Sequence, residues 1–224
     1  MSRAKVFKYR LRRCLAAIGL AGALLANAGS YEDILRAIEI DDSRTVAELL
    51  RRGVDVDTVN PKGDSLLMLA ARSSKPDVVN VILAAKPKVN ARNAYGETAL
   101  MLASIKGRSD VVRMLLDRGA DVNPSGWTPL IYAAVNNHMD VARVLLSRGA
   151  QVNATAQNGM TALMMAAREG QMPMVLLLLE HGADVNYMSD SGYNALGLAA
   201  GHGRKDVAEV LVRAGARRLE KAGQ

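Results

Sequence analysis

The chain has 224 residues, a formal charge of +7 and a pI near 9.7, a balance that on its face invites a nucleic-acid or anionic-surface role. Locating the charge removes that reading: residues 1 to 28 hold six of the 29 basic residues and no acid, leaving 23 basic against 22 acidic groups elsewhere. The mature surface is nearly neutral, so no nucleic-acid partner is expected. In chain order, Arg3, Lys5, Lys8, Arg10, Arg12 and Arg13 come first. They precede an apolar stretch from Cys14 to Leu25 and a small-x-small site, Ala26-Asn27-Ala28. This order predicts a signal peptide over residues 1–28, cut after Ala28 and before Gly29.

About 15 apolar residues fall short of the roughly 20 that span a bilayer, so no stable membrane anchor is expected after cleavage. The solid apolar block Leu15 to Leu25 sets the segment apart from amphipathic mitochondrial presequences. Arg12-Arg13 resembles a twin-arginine signal, but Cys14-Leu15-Ala16 fits that motif poorly and general secretion is favoured. The only cysteine, Cys14, lies before the apolar segment rather than at its end, which argues against lipidation. The mature chain has no thiol, which suits a periplasmic or secreted protein.

From residue 29 onward the chain is periodic. Gly119-Ala120-Asp121-Val122-Asn123 recurs as Gly149-Ala150-Gln151-Val152-Asn153 and Gly182-Ala183-Asp184-Val185-Asn186. Gly53 with Val54-Asp55-Val56-Asp57 opens the series, Gly215-Ala216 closes it, and Lys86-Pro87-Lys88-Val89-Asn90 keeps the phase without its glycine. The step is 33 residues, except for one of 30 between Gly119 and Gly149. A second mark starts at Gly63, Gly96, Gly126, Gly159 and Gly192, each followed after a few residues by a leucine and then a small pair such as Ala133-Ala134. Thr98, Thr128 and Thr161 stand where a hydroxyl caps a helix, and Pro129 stands at a first helical position. Runs such as Val111-Val112-Arg113-Met114-Leu115-Leu116 and Val141-Ala142-Arg143-Val144-Leu145-Leu146 put apolar residues on one helical face. Gly119, Gly149, Gly182 and Gly215 follow them as left-handed helix terminators.

These residues resemble the ankyrin repeat, and the resemblance covers residues 31 to 216. It implies an all-α solenoid of helix-turn-helix units with short β-hairpin-like fingertips, whose stability comes from stacking. The expected organisation is a capping repeat over 29–57 and five repeats over about 58–90, 91–123, 124–153, 154–186 and 187–216, with a tail over 217–224. Ser30 with Asp33 reads as a capping-box variant opening the first helix, and Arg204, Lys205, Asp206, Glu209 and Arg213 as a polar coat on the last.

Three departures stand out. The family's Thr-Pro-Leu-His histidine is replaced by Met68, Met101, Ile131, Met164 and Gly197, so apolar packing is expected to substitute for its hydrogen bonds. Lys86 and Pro87 replace Gly-Ala at one turn, and the hairpin ahead of Trp127 is three residues short.

No catalytic constellation is found. His138, His181 and His202 fall at different repeat phases and read as exposed helix-end residues, and the glycines are accounted for by turns. No enzyme activity, cofactor or metal is expected. The alternative is copper handling by the methionines around the fifth repeat, Met160, Met164, Met165, Met172, Met174 and Met188, since thioethers suit Cu(I).

The resemblance implies a non-catalytic module that binds another protein through fingertips and inner-helix ends. Carried over position by position, the tips offer Asp64, Tyr95, Glu97, Trp127, Met160 and Tyr193. The inner-helix ends offer Arg72, Ile105, Lys106, Val135, Asn136, Arg168, Glu169 and His202, with Ser73 beside Arg72. Asp64, Glu97, Trp127, Met160 and Tyr193 all follow a turn glycine, which predicts a line of side chains that the core does not need, anchored by Trp127 and Tyr193. The protein is expected to be a monomer, and exported bacterial proteins that resemble this chain imply a role in assisting or inhibiting an exported protein, for example in support of a catalase or in toxin immunity.

Overall fold

In each unit the chain makes a turn, a short inner helix, a second turn and an outer helix. A computed structural model describes residues 30–73 and 75–217. The expected signal peptide over residues 1–28, its expected cut before Gly29 and residues 218–224 lie outside the described residues. Among the described residues there are α1 (30–39) and α2 (Ser43–Arg51), then five helix pairs. The inner helices are α3 (Leu66–Ser73), α5 (Ala99–Ile105), α7 (Pro129–Val135), α9 (Ala162–Glu169) and α11 (Ala195–Gly201). The outer helices are α4 (Pro76–Ala84), α6 (Ser109–Asp117), α8 (Met139–Ser147), α10 (Met172–Glu180) and α12 (Lys205–Arg213). From α3 to α11 successive inner helices pack on one another, and each packs on its own outer helix, which makes a two-layered all-α stack. No longer strands form at the fingertips among the described residues, only the bridges Val59 to Ser65 and Thr155 to Thr161.

The alanine pairs let inner helices approach closely, and Ala70, Ala71, Ala133, Ala134, Ala166 and Ala167 are wholly buried. Ser104, in the same place, is also buried and donates its hydroxyl to the Leu100 carbonyl at 2.8 Å. On α11 Ala200 is exposed, and among the described residues no further inner helix covers it. There the polar coat of α12 is exposed as expected, but Leu196, Gly197, Ala200, Ala208 and Val212 leave an apolar hollow between α11 and α12.

The caps form as the residue types dictate. Thr98, Thr128 and Thr161 each accept from the backbone N–H three residues on, at 3.2 to 3.3 Å, and Pro129 opens α7. Asp42 does the same for Thr45 at 3.1 Å, and the Thr45 hydroxyl and amide draw the Asp42 carboxyl below its ordinary 3.8. Residue 30 is already helical, so the start of α1 and the Ser30 cap reading fall at the edge of what is described.

Polar contacts, as well as packing, replace the missing histidines. Met68 and Met101 are buried, and their thioether sulfurs accept from the Ser65 and Thr98 N–H groups at 3.4 and 3.3 Å, closing each cap. The tie between repeats is a ladder of asparagines. Asn90 donates to the Gly119 carbonyl at 3.0 Å and accepts from the Asp121 N–H at 2.8 Å. Asn123, Asn153 and Asn186 repeat the pattern on Gly149 and Gln151, Gly182 and Asp184, and Gly215 and Arg217. Apolar packing does stand at the histidine positions, with Met68, Met101, Ile131 and Met164 all buried, and these polar contacts add to it.

The altered turn at Lys86-Pro87 keeps its shape. Lys86 takes the left-handed conformation (φ 56°) that glycine takes elsewhere in the series. Asp57 stands in the ladder there and, having no N–H to donate, accepts from the Lys88 N–H at 2.8 Å and pairs with Lys88 Nζ at 3.6 Å. Asp57 and Lys88 thus keep one bond of the ladder and add an ion pair.

Candidate protein-binding site

The fingertip row does not form the uniform exposed line that the register predicts. Asp64 is 2% exposed: Oδ1 accepts from Asn93 Nδ2 at 2.8 Å, and Oδ2 accepts from Asn60 Nδ2 at 3.3 Å and lies 3.5 Å from Arg72 Nη1. Burial is tolerated because the carboxylate is paired and hydrogen-bonded, so Asp64 is a structural group. Met160 is 8% exposed and packs into the core. Glu97 and Trp127 are partly buried, and only Tyr193 of the five is largely open.

Most of the inner-helix-end residues also have structural contacts. The Ile105 and Val135 side chains pack on the core, and their carbonyls accept from His138 Nε2 and Gln171 Nε2, both at 2.9 Å. The Arg168 carbonyl accepts from Arg204 Nε at 3.2 Å, so these three make a second ladder from one repeat to the next. His138 is therefore a partly buried strut, which corrects its reading as an exposed helix-end residue. Arg168 pairs with Glu169 at 2.9 Å, Asn136 donates to the Tyr132 carbonyl, and His202 Nδ1 contacts the Leu198 carbonyl. Lys106, Asn136, Glu169, His181 and His202 are exposed.

What converges is a pocket at the shortened hairpin. Tyr95, Glu97 and Trp127 line it together with Arg92, Tyr132 and Gln157. The Trp127 and Tyr132 rings lie 5.2 Å apart at 30°, within the range of an offset aromatic pair. Trp127 both packs on the core and lines the pocket. Tyr95 is 73% exposed on the rim. Burial pushes the Tyr132 phenol above its ordinary 10.0, and the Glu97 carboxylate adds to the shift. Asn93 Nδ2 donates to Glu97 Oε2 at 2.9 Å as well as to Asp64, so one amide joins the structural carboxylate to the one in the pocket.

The hairpin loops elsewhere close by a backbone bond of one length, Asn60 to Asp64, Asn93 to Glu97, Ala156 to Met160 and Ser189 to Tyr193. In the short hairpin Asn123 belongs to the ladder and also occupies the place, three residues before Gly126, that Asn60, Asn93, Ala156 and Ser189 hold in theirs. That merger accompanies Trp127 settling on Tyr132.

Tyr132, Arg92 and Gln157 were missed by the register argument. Tyr132 had a signal: other inner helices carry Leu69, Leu102, Met165 and Leu198 in its place, and an aromatic there, five residues after Trp127, is the exception.

Of the methionines, Met160, Met164, Met165 and Met174 are buried in the core, Met172 is partly buried against it and Met188 is 44% exposed. Among the described residues no group of three or more His, Cys, Asp or Glu side chains is arranged to hold a metal, and no helix is long and apolar enough to cross a membrane.

Comparison with known proteins agrees with this geometry. A family profile described as ankyrin repeats (three copies) matches residues 34–125 and 151–221, and a single ankyrin-repeat profile matches residues 125–157. No curated protein matches the chain. Ankyrin repeats form a non-catalytic interaction fold that generally mediates binding to other proteins. With matches spanning the stack, the chain belongs to the ankyrin-repeat family.

Proposed function

We propose that the protein is an exported binding module which works as a monomer, holding another protein at the pocket around Trp127. The convergence of Tyr95, Glu97, Trp127 and Tyr132 carries this reading, since three of the chain's eight aromatic residues line one opening. Tryptophan and tyrosine dominate binding energy where they can be desolvated by a partner. Export is supported by the basic and apolar order of residues 1–28, and it places the partner among periplasmic or secreted proteins. Within that setting the role is to assist or inhibit an exported protein, with support of an oxidative-stress enzyme such as a catalase, or toxin immunity, as the two forms favoured by the resemblance.

Two measurements test the reading. N-terminal sequencing of the fractionated protein should find Gly29 first; an intact Met1, or protein only in the cytosol, would remove the export step. A photo-crosslinking residue at position 95 should capture one protein from periplasmic extract, and the same residue at Arg113 on α6 should not. Equal capture from both positions would remove the site.

A further inference from the structure

The chemistry of the Trp127 pocket narrows what a partner must insert. Glu97 accepts from the neutral amide of Asn93 and forms no ion pair among the described residues, whereas its neighbour Asp64 has Arg72 beside it at 3.5 Å. One carboxylate of the network is thus compensated and the other is not. Arg92, on the same pocket, donates Nη1 to the Gly96 carbonyl at 2.9 Å and leaves Glu97 unpaired. Beside this carboxylate stand Trp127 and Tyr132, 5.2 Å apart, with Tyr95 on the rim. The face of an aromatic ring is electronegative and attracts a cation within about 6 Å, most strongly for tryptophan. A carboxylate and π-faces in one pocket attract the same sign of charge.

We propose that this pocket receives a cationic side chain of the partner, a lysine ammonium or an arginine guanidinium. Glu97 is the counter-ion, the Trp127 and Tyr132 rings provide the aromatic wall, and the apolar stem of the incoming side chain lies along Tyr95. The proposal rests on the protein-binding reading and specifies the partner's anchor residue. Arg92 makes the opposite outcome chemically meaningful, because an anion would be recognised through its guanidinium.

Trp127 is the only tryptophan in the chain, so intrinsic fluorescence reports from the pocket itself. The full protein is titrated with blocked tripeptides, acetyl-Ala-X-Ala-amide, with X as Lys, Arg, Gln or Glu. The Lys and Arg peptides should give a saturable change with half-saturation on the order of millimolar, as expected for one small anchor. The Gln and Glu peptides should bind at least about tenfold more weakly. Glu97→Gln should reduce the Lys response about tenfold with an unchanged melting temperature, Glu97→Asp should restore part of it, and added salt should weaken wild-type binding. Equal response to Lys and Gln, indifference to Glu97→Gln in a folded variant, or no saturable change overturns the proposal. Tighter binding of the Glu peptide also overturns it and assigns the pocket to Arg92. Failure of these titrations with capture at position 95 intact removes the cation and leaves the protein-binding site; loss of capture with the titrations intact does the reverse.

Discussion

The two rows of turns in this solenoid behave differently although both repeat in one phase. At the Gly-Ala-Asp-Val-Asn turns, four asparagines make the same pair of bonds to the next repeat, and even the altered Lys86 turn keeps the left-handed conformation. At the fingertips, one register position holds a buried Asp64, a partly buried Glu97, a Trp127 tilted against Tyr132, a buried Met160 and an open Tyr193. The first row does backbone work that only a few residues can do, so composition and structure stay uniform together. The second row has no such backbone requirement, and each side chain is placed by its own neighbours.

Substitutions that probe the first region should cost stability, and those on the open rim of the second should not. The largest loss is expected from the core that both rows frame. Leu145 is wholly buried, so Leu145→Ala should cost about 2 to 5 kcal/mol by chemical denaturation. Leu146 next to it is only partly buried, so Leu146→Ala should cost clearly less, and equal losses would mean that α8 presents a different face.

In the ladder, Asn123→Ala removes a bond to Gly149 and another from Gln151 and should cost about 1 to 2 kcal/mol, at the usual net value per hydrogen bond. Gly107→Ala should cost about 1 kcal/mol or more, because φ is +70° and the new methyl would lie 2.5 Å from His138 Nδ1. A Gly107→Ala variant as stable as wild type would show that the His138 strut gives way freely. Against these, Tyr95→Ala on the rim should change stability by less than about 0.5 kcal/mol.

A pH prediction separates the pocket from the rest of the fingertips. The Tyr132 phenol is raised above 10.0 in the folded chain, so the unfolded chain releases that proton first. Stability should therefore fall as pH rises through 10.0 toward the folded value. The extra loss between pH 9 and pH 11 should vanish in Tyr132→Phe and shrink in Glu97→Gln. An identical alkaline loss in all three proteins would rule out Tyr132 as its source, and a loss that vanishes in Tyr132→Phe but is unchanged in Glu97→Gln would dissociate Glu97 from Tyr132.

The fold was legible because its marks are backbone marks. Thr98, Thr128 and Thr161 cap helices, Pro129 opens one, and Gly119, Gly149, Gly182 and Gly215 take positive φ, each for a reason local to the chain. The site was legible only in part. Register put Tyr95, Glu97 and Trp127 among the tips, but it could not show that Asn93 and Arg72 would internalise Asp64, or that Tyr132 would reach Trp127 from an inner helix. Those outcomes depend on contacts between side chains of different repeats or elements, which a repeating pattern averages away. His138 was misread for the same reason, since its partner is a carbonyl 33 residues earlier.

A partner seated in the pocket at the short hairpin must contact its open rim, so the partner affinity of Tyr95→Ala, measured beside its melting temperature, tests that seat. The partner is the protein captured at position 95, purified and titrated by calorimetry against both forms. Tyr95 is 73% exposed, so its role in binding is separable from packing, unlike that of Trp127. The expected result is a loss of affinity of about thirtyfold, as for an aromatic anchor worth about 2 kcal/mol, with the melting temperature unmoved. Unchanged affinity for Tyr95→Ala, together with a clear loss from a substitution on an outer helix such as Arg113→Ala, would contradict it.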